Sequence, residues 1–140
     1  MKKIVFAFIF GLLAVQNGFS QIKSDDILGE WLSEEKDGKV MIYKQGNKYY
    51  GKLSWLLRSQ KKDEFNPDPK LRDQLLMGKV ILKEFDFEDG EWENGTIYDP
   101  KSGKTYSCVM KLTNNKQQLD IRGYIGMPMF GRTSIWTRPK

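Results

Sequence analysis

The stretch NGTIYDPKSGKTYSCVMKLT, Asn94–Thr113, decides how this chain folds. From Lys104 to Thr113 the residues alternate. Tyr106, Cys108, Met110 and Leu112 share one face, and Ser107, Val109 and Lys111 share the other. A period of two is the signature of a strand with one buried face. Asp99–Pro100 ends an earlier run, Thr96–Asp99, and PKSG turns the chain back. Asp99 reads as a turn residue whose carboxylate caps its own backbone. The stretch is therefore a hairpin, and the face carrying Tyr106, Cys108 and Met110 is expected to point inward.

The same rhythm extends in both directions. Strands are expected at Ile27–Glu34, Lys39–Lys44, over KYYGKLSWLL from Lys48, and at Lys79–Phe87, with Trp92 just beyond the last of these. After the hairpin come Gln118–Ile125 and Thr133–Arg138. DG at 37–38, QGN at 45–47, EDG at 88–90 and NNKQ at 114–117 punctuate them as turns. In the third strand Tyr49, Gly51, Leu53 and Trp55 share one face. Arg58–Gln74 breaks the rhythm, because Asn66–Pro67 and Asp68–Pro69 forbid a regular strand, and Leu71–Met77 suits a short helical turn ending at Gly78. Eight strands with short sequential connections and no long helical pattern give an all-β, eight-stranded antiparallel up-and-down barrel. Closure removes exposed edges and leaves an interior just wide enough for side chains or one small ligand.

The first twenty residues read differently. Lys2 and Lys3 precede a nearly unbroken apolar run, Ile4–Val15, and Gly18 and Ser20 are small residues suited to positions −3 and −1 of a cleavage site. This is the pattern of a secretory signal peptide cleaved after Ser20. The alternative, a membrane anchor, needs about twenty apolar residues, more than this run supplies. Residues 21–140 are expected to form one domain, periplasmic or secreted, with no membrane span after cleavage. Setting aside Lys2 and Lys3 leaves 21 basic and 18 acidic residues, spread along the chain. Nucleic-acid binding calls for a concentrated basic stripe, so none is expected.

The composition narrows the chemistry further. The chain has no histidine and a single cysteine, Cys108. That removes the commonest general base and metal ligand. Cys108 reads as a small buried apolar residue rather than a reactive thiol. The carboxylates of SEEKDG and EFDFEDGEWE read as turn and surface charge, not as a glycosidase pair. Asp63, Glu64, Asn66, Asp68 and Asp73 lack the spacing of a calcium loop and read as a solvated loop with side-chain-capped turns. Asn94-Gly95-Thr96 fits a glycosylation sequon, but Asn-Gly is equally a turn signal. No metal, no cofactor and no enzymatic activity are expected.

The set most like a functional site is aromatic and apolar with two cations: Trp55, Tyr98, Tyr106, Met110, Arg122, Tyr124, Met127, Met129, Phe130 and Arg132. Within it, GYIGMPMFGR (123–132) places two methionines around a proline between glycines, and methionine is adaptable at binding surfaces. This connection is expected over one end of the barrel, either as a ligand mouth or as a plug made of its own side chains. An expected ligand is a small apolar or amphipathic molecule whose anionic head reaches Arg122 or Arg132. Arg122 is the weaker choice, since Leu119 and Ile121 alternate against it. The alternative is an interaction or structural module with a filled interior and an envelope protein as partner.

Two further signals carry a resemblance. Gly29-Glu30-Trp31 opens the first strand and Trp136-Thr137-Arg138 closes the last. A G-x-W paired with a terminal Arg is similar to the closed end of a lipocalin-type (calycin-like) barrel, where a guanidinium packs across an indole. The resemblance implies that Gly29, Trp31, Trp136 and Arg138 close one end. More broadly, NPDPKLRDQLLMG, GTIYDPKSGKTYSCVMKL, LDIRGYIG and FGRTSIWTR, in this order, resemble the bacterial family known as domain of unknown function 2147. That resemblance implies an exported small barrel of lipocalin-like character and brings no activity with it. Many relatives carry a Cys near the positions of Met77 and Tyr124. This chain has neither, so it implies no disulfide here.

Overall fold

The computed structural model describes residues 21–140, in which eight antiparallel strands close into a barrel in sequence order. They are β1 (Gly29–Leu32), β2 (Gly38–Gln45), β3 (Lys48–Leu56), β4 (Val80–Glu88), β5 (Glu91–Asp99), β6 (Lys104–Thr113), β7 (Gln118–Tyr124) and β8 (Arg132–Thr137). The expected leader, residues 1–20, lies outside the described residues. Among the described residues no helix is long and apolar enough to cross a membrane.

The barrel has two unlike ends. At one, tight turns join β2 to β3, β4 to β5 and β6 to β7, and the N-terminal segment folds beneath them. A single 3-10 turn, Ser24–Ile27, precedes β1 where the alternation suggested strand from Ile27. Its backbone carbonyls and Asp25 serve as acceptors for the core. The Trp31 indole donates to the Ile27 carbonyl at 2.9 Å, the Trp92 indole to Ser24 at 3.2 Å, and the Tyr49 hydroxyl to Asp25 at 2.8 Å. The half of the interior above this floor is packed solid by Trp31, Tyr49, Leu82, Phe85, Trp92 and Met110. Aromatic side chains of this size fill an eight-stranded barrel readily.

Bulges decide several faces. Asn94–Gly95 is not a turn. It lies inside β5, which starts at Glu91 and so takes in Trp92. The register slips between Trp92 and Gly95, and Asn94 takes up the slack with φ 63°. Gly95 is required because the Phe85 ring lies 2.5 Å from where a Cβ would stand. In β3, Lys39 pairs with Trp55 but Val40 pairs with Leu53, so one residue is inserted. Tyr49, Gly51 and Leu53 face inward as expected, whereas Trp55 is turned to the outer face, where the Lys39 ammonium lies 5.4 Å from its ring.

The segment between β3 and β4 is mostly exposed and has the expected side-chain-capped turns, the Asp68 N–H donating to Asn66 and the Lys70 N–H to Asp68, but it also buries Asp63 and Asn66. Its only helical turn is Pro69–Leu71, earlier than Leu71–Met77. Beyond it the chain pairs with itself, Lys62 against Leu75, and buries Leu76.

Candidate functional site

The end opposite the floor is open. There the connections β1–β2, β5–β6 and β7–β8 surround a cavity of about 530 Å³ that reaches into the upper half of the barrel. The register shows which side chains enter it. Cys108 and Met110 are buried, so their face is the inner one, and Ile97 pairs with Tyr106 on that face. Ile121 pairs with both Met110 and Ser134, Leu119 with Trp136, and Gly123 with both Cys108 and Arg132. Ile97, Tyr106, Ile121 and Trp136 therefore make an apolar wall. Ser134 and Arg132 add the polar groups on β8, one above the other toward the mouth. Gly123 borders the cavity beside them, against Ile97 and Tyr106.

Arg132 is exposed at the mouth and takes part in no ion pair among the described residues. Arg122, by contrast, is committed on the outer face. It donates from Nε to the Pro128 carbonyl at 2.6 Å, from one terminal nitrogen to Thr133 at 2.8 Å, and from the other to Met129 at 3.3 Å. It holds the β7–β8 connection in place and offers nothing to a ligand. Of that connection, Phe130 borders the cavity, while Met127 and Met129 are exposed and do not line it. The connection thus edges the mouth and does not plug it.

The remaining sequence candidates divide in the same way. Tyr106 and Tyr124 border the cavity. Met110 faces inward but is buried in the filled half, and Trp55 is on the outer surface. Trp136 borders the cavity and does not close the floor, because its place on β8 is above Arg138. Arg138 and Trp31 do close it: the guanidinium carbon lies 3.8 Å from the indole centroid, and its nitrogens donate to Asp26 at 2.9 Å and Glu30 at 3.2 Å. Gly29 has φ 108°, and a Cβ there would come within 3.1 Å of that guanidinium.

Tyr98 borders the cavity as well, yet it alternates with inward-facing Ile97, so its ring lies on the outer side. Its hydroxyl donates to Asp63 at 2.6 Å. Asp63, only 1% exposed, also accepts from Asn66 at 2.8 Å and pairs with Lys79 at 2.9 Å. Burial raises the Asp63 carboxyl, but these three donors outweigh it and hold the pKa below the ordinary value. Burial, and then Asp63 itself, pushes the Tyr98 phenol well upward. Every buried side-chain nitrogen and oxygen among the described residues has a partner. The cluster is therefore a closed clamp that fastens the β3–β4 segment to β5. Sequence reading missed it because Asp63 and Tyr98 are 35 positions apart; the strong cue was an Asp and an Asn in a segment that also carries Leu75 and Leu76.

Cys108 is fully buried, and burial pushes its thiol up to about 12. Among the described residues no three His, Cys, Asp or Glu side chains are grouped to hold a metal ion.

Comparison with known proteins agrees with this geometry. The model of a bacterial family described as an uncharacterized protein conserved in bacteria, domain of unknown function 2147, matches residues 29–138. Among solved structures, protein HP1028 from the human pathogen Helicobacter pylori, described as belonging to the lipocalin family, is 25% identical with a TM-score of 0.72. That likeness covers 81% of this chain and 82% of the other. None of the curated proteins matches.

Proposed function

We propose, for a chain that belongs to the bacterial family of domain of unknown function 2147, that the open half of its barrel binds a small amphipathic molecule. The cavity of about 530 Å³ carries this reading. Its volume falls in the range of small-molecule sites, and its inner wall is apolar, with the charged groups Glu34, Glu35, Asp37, Asp99, Lys101 and Arg132 gathered at the mouth. The body of the ligand rests on Ile97, Tyr106, Ile121 and Trp136. Its head is anionic and meets Arg132, whose planar fork suits a carboxylate or phosphate. The protein works as a binder without chemistry of its own. The high thiol pKa of Cys108 and the full engagement of Asp63 support that view. It acts in the cell envelope after removal of residues 1–20, a reading supported by Lys2, Lys3, the Ile4–Val15 run, Gly18 and Ser20.

The test is titration with dodecanoate and with uncharged dodecanol, followed by tryptophan fluorescence. Trp136 borders the cavity and should report both. Ser134→Trp should fill the cavity and weaken both. Arg132→Ala should weaken dodecanoate about tenfold or more and leave dodecanol nearly unchanged, since it removes a charged hydrogen bond alone. Absence of binding at micromolar concentration would overturn the reading. It would favour the interaction module instead, for which the exposed Ile125, Met127, Met129 and Phe130 offer a surface.

A further inference from the structure

The open end is not simply open. The β1–β2 and β5–β6 connections are four strands apart in a ring of eight, so they face each other across the mouth. The Lys101 ammonium, on the β5–β6 turn, reaches over to pair with both Glu35 and Asp37 on the β1–β2 connection, the latter at 3.3 Å. All three residues border the cavity. We infer that Lys101, Glu35 and Asp37 form a strap across the mouth that a ligand must open to enter or leave.

Both anchors of the strap are tied down by hydrogen bonds. On one side the Asp99 carboxylate accepts from the Lys101 backbone at 3.0 Å, and its carbonyl accepts from Gly103 at 2.8 Å. On the other, Asp37 accepts from the Ser33 hydroxyl at 2.9 Å, and its carbonyl accepts from Leu57 at 2.9 Å. The moving part is therefore the lysine side chain with its two carboxylates, not the backbone. The hydrogen bond to Glu35, and then Asp37, raises the Lys101 pKa and keeps it charged. The side chains are 57%, 63% and 45% exposed for Lys101, Glu35 and Asp37, so water and salt compete with the pairing. Exposed ion pairs of this kind are weak, which suits a strap that opens often and delays passage without blocking it.

This inference rests on the binding reading above, and its test separates the two. N-phenyl-1-naphthylamine is uncharged and brightens in apolar surroundings, so its binding can be followed by stopped-flow without a charge effect of its own. Lys101→Met should raise its association and dissociation rates by the same factor, about two- to fivefold, and leave affinity unchanged. Glu35→Gln should act in the same direction. In the wild type, raising salt from about 0.02 to about 0.5 M should speed entry by screening the strap, and this response should vanish in Lys101→Met. A readout without ligand accompanies it. In a Trp55→Phe background, acrylamide should quench Trp136 more strongly once the strap is cut. Equal rates and equal salt responses in both proteins would overturn the strap and leave the binding reading standing. If no probe binds to either protein, the binding reading falls, and equal quenching would then overturn the strap as well.

Discussion

Removal of the Arg138 side chain tests the closed end of the barrel. Arg138→Ala deletes three contacts at once: the stack on Trp31 at 3.8 Å and the hydrogen bonds to Asp26 and Glu30. Stacking of a partly buried guanidinium on an indole contributes about 1 kcal/mol. Each charge-assisted hydrogen bond contributes about 1 kcal/mol after discounting for partial exposure. The sum is about 3 kcal/mol, and of the two carbonyls left behind one, Asp26, belongs to the turn that seats Trp31 and Tyr49 and the other, Glu30, to β1. For a chain of this size that loss lowers the melting temperature by on the order of 10 °C. Arg138→Lys keeps the charge but not the planar fork, so it should recover less than half. Urea denaturation followed by tryptophan fluorescence gives the free energy directly, because Trp31 and Trp92 are both fully buried. A loss below about 0.5 kcal/mol for Arg138→Ala would refute the reasoning, since it would mean that water replaces all three contacts at no cost.

Three other outcomes follow from the packing. Gly95→Ala drives a methyl into the Phe85 ring, 2.5 Å from the site of the new Cβ, and should cost about 2–3 kcal/mol by denaturation; a neutral result would show that the ring moves freely. Asp63 has a depressed pKa, so its stabilisation is complete above the unfolded value of about 3.9 and is lost as pH falls through the lower folded value. Asp63→Asn should therefore be markedly less stable than wild type at neutral pH, with the gap narrowing below about pH 4, and a gap independent of pH would sink this account. Cys108, with its thiol pushed up to about 12, should resist iodoacetamide in the native protein at pH 8 and react fully in urea. Rapid native labelling would place the thiol outside the core.

Much of this molecule was legible from alternation alone. Tyr106, Cys108, Met110 and Leu112 had to share a face, and turn residues at each interval forced hairpins in order. Gly29, Trp31 and Arg138 could be matched to one closed end through the resemblance to a lipocalin-type barrel, whose pattern is local at each terminus of the sheet. Asp99 announced its own cap, which the structure repeats in its bonds to the Lys101 backbone and the Ser102 hydroxyl.

What tertiary structure alone decided is where the alternation slips and what the connections touch. The inserted residue in β3 puts Trp55 outside, and the slip in β5 turns Asn94–Gly95 from an apparent hairpin into a bulge beneath Phe85. Neither slip has a one-dimensional signature, because a bulge is defined by the partner strand's register. The same holds for charge. Alternation already pointed Arg122 outward, but only the structure shows it spent on three acceptors, while Arg132 follows an inward register at an open mouth. Whether an eight-stranded barrel is filled or hollow depends on the summed volume of side chains that meet only after closure. Here Trp31, Tyr49, Phe85 and Trp92 fill one half, while in the other Ile97, Tyr106, Ile121 and Trp136 line a cavity beside Gly123 and Ser134.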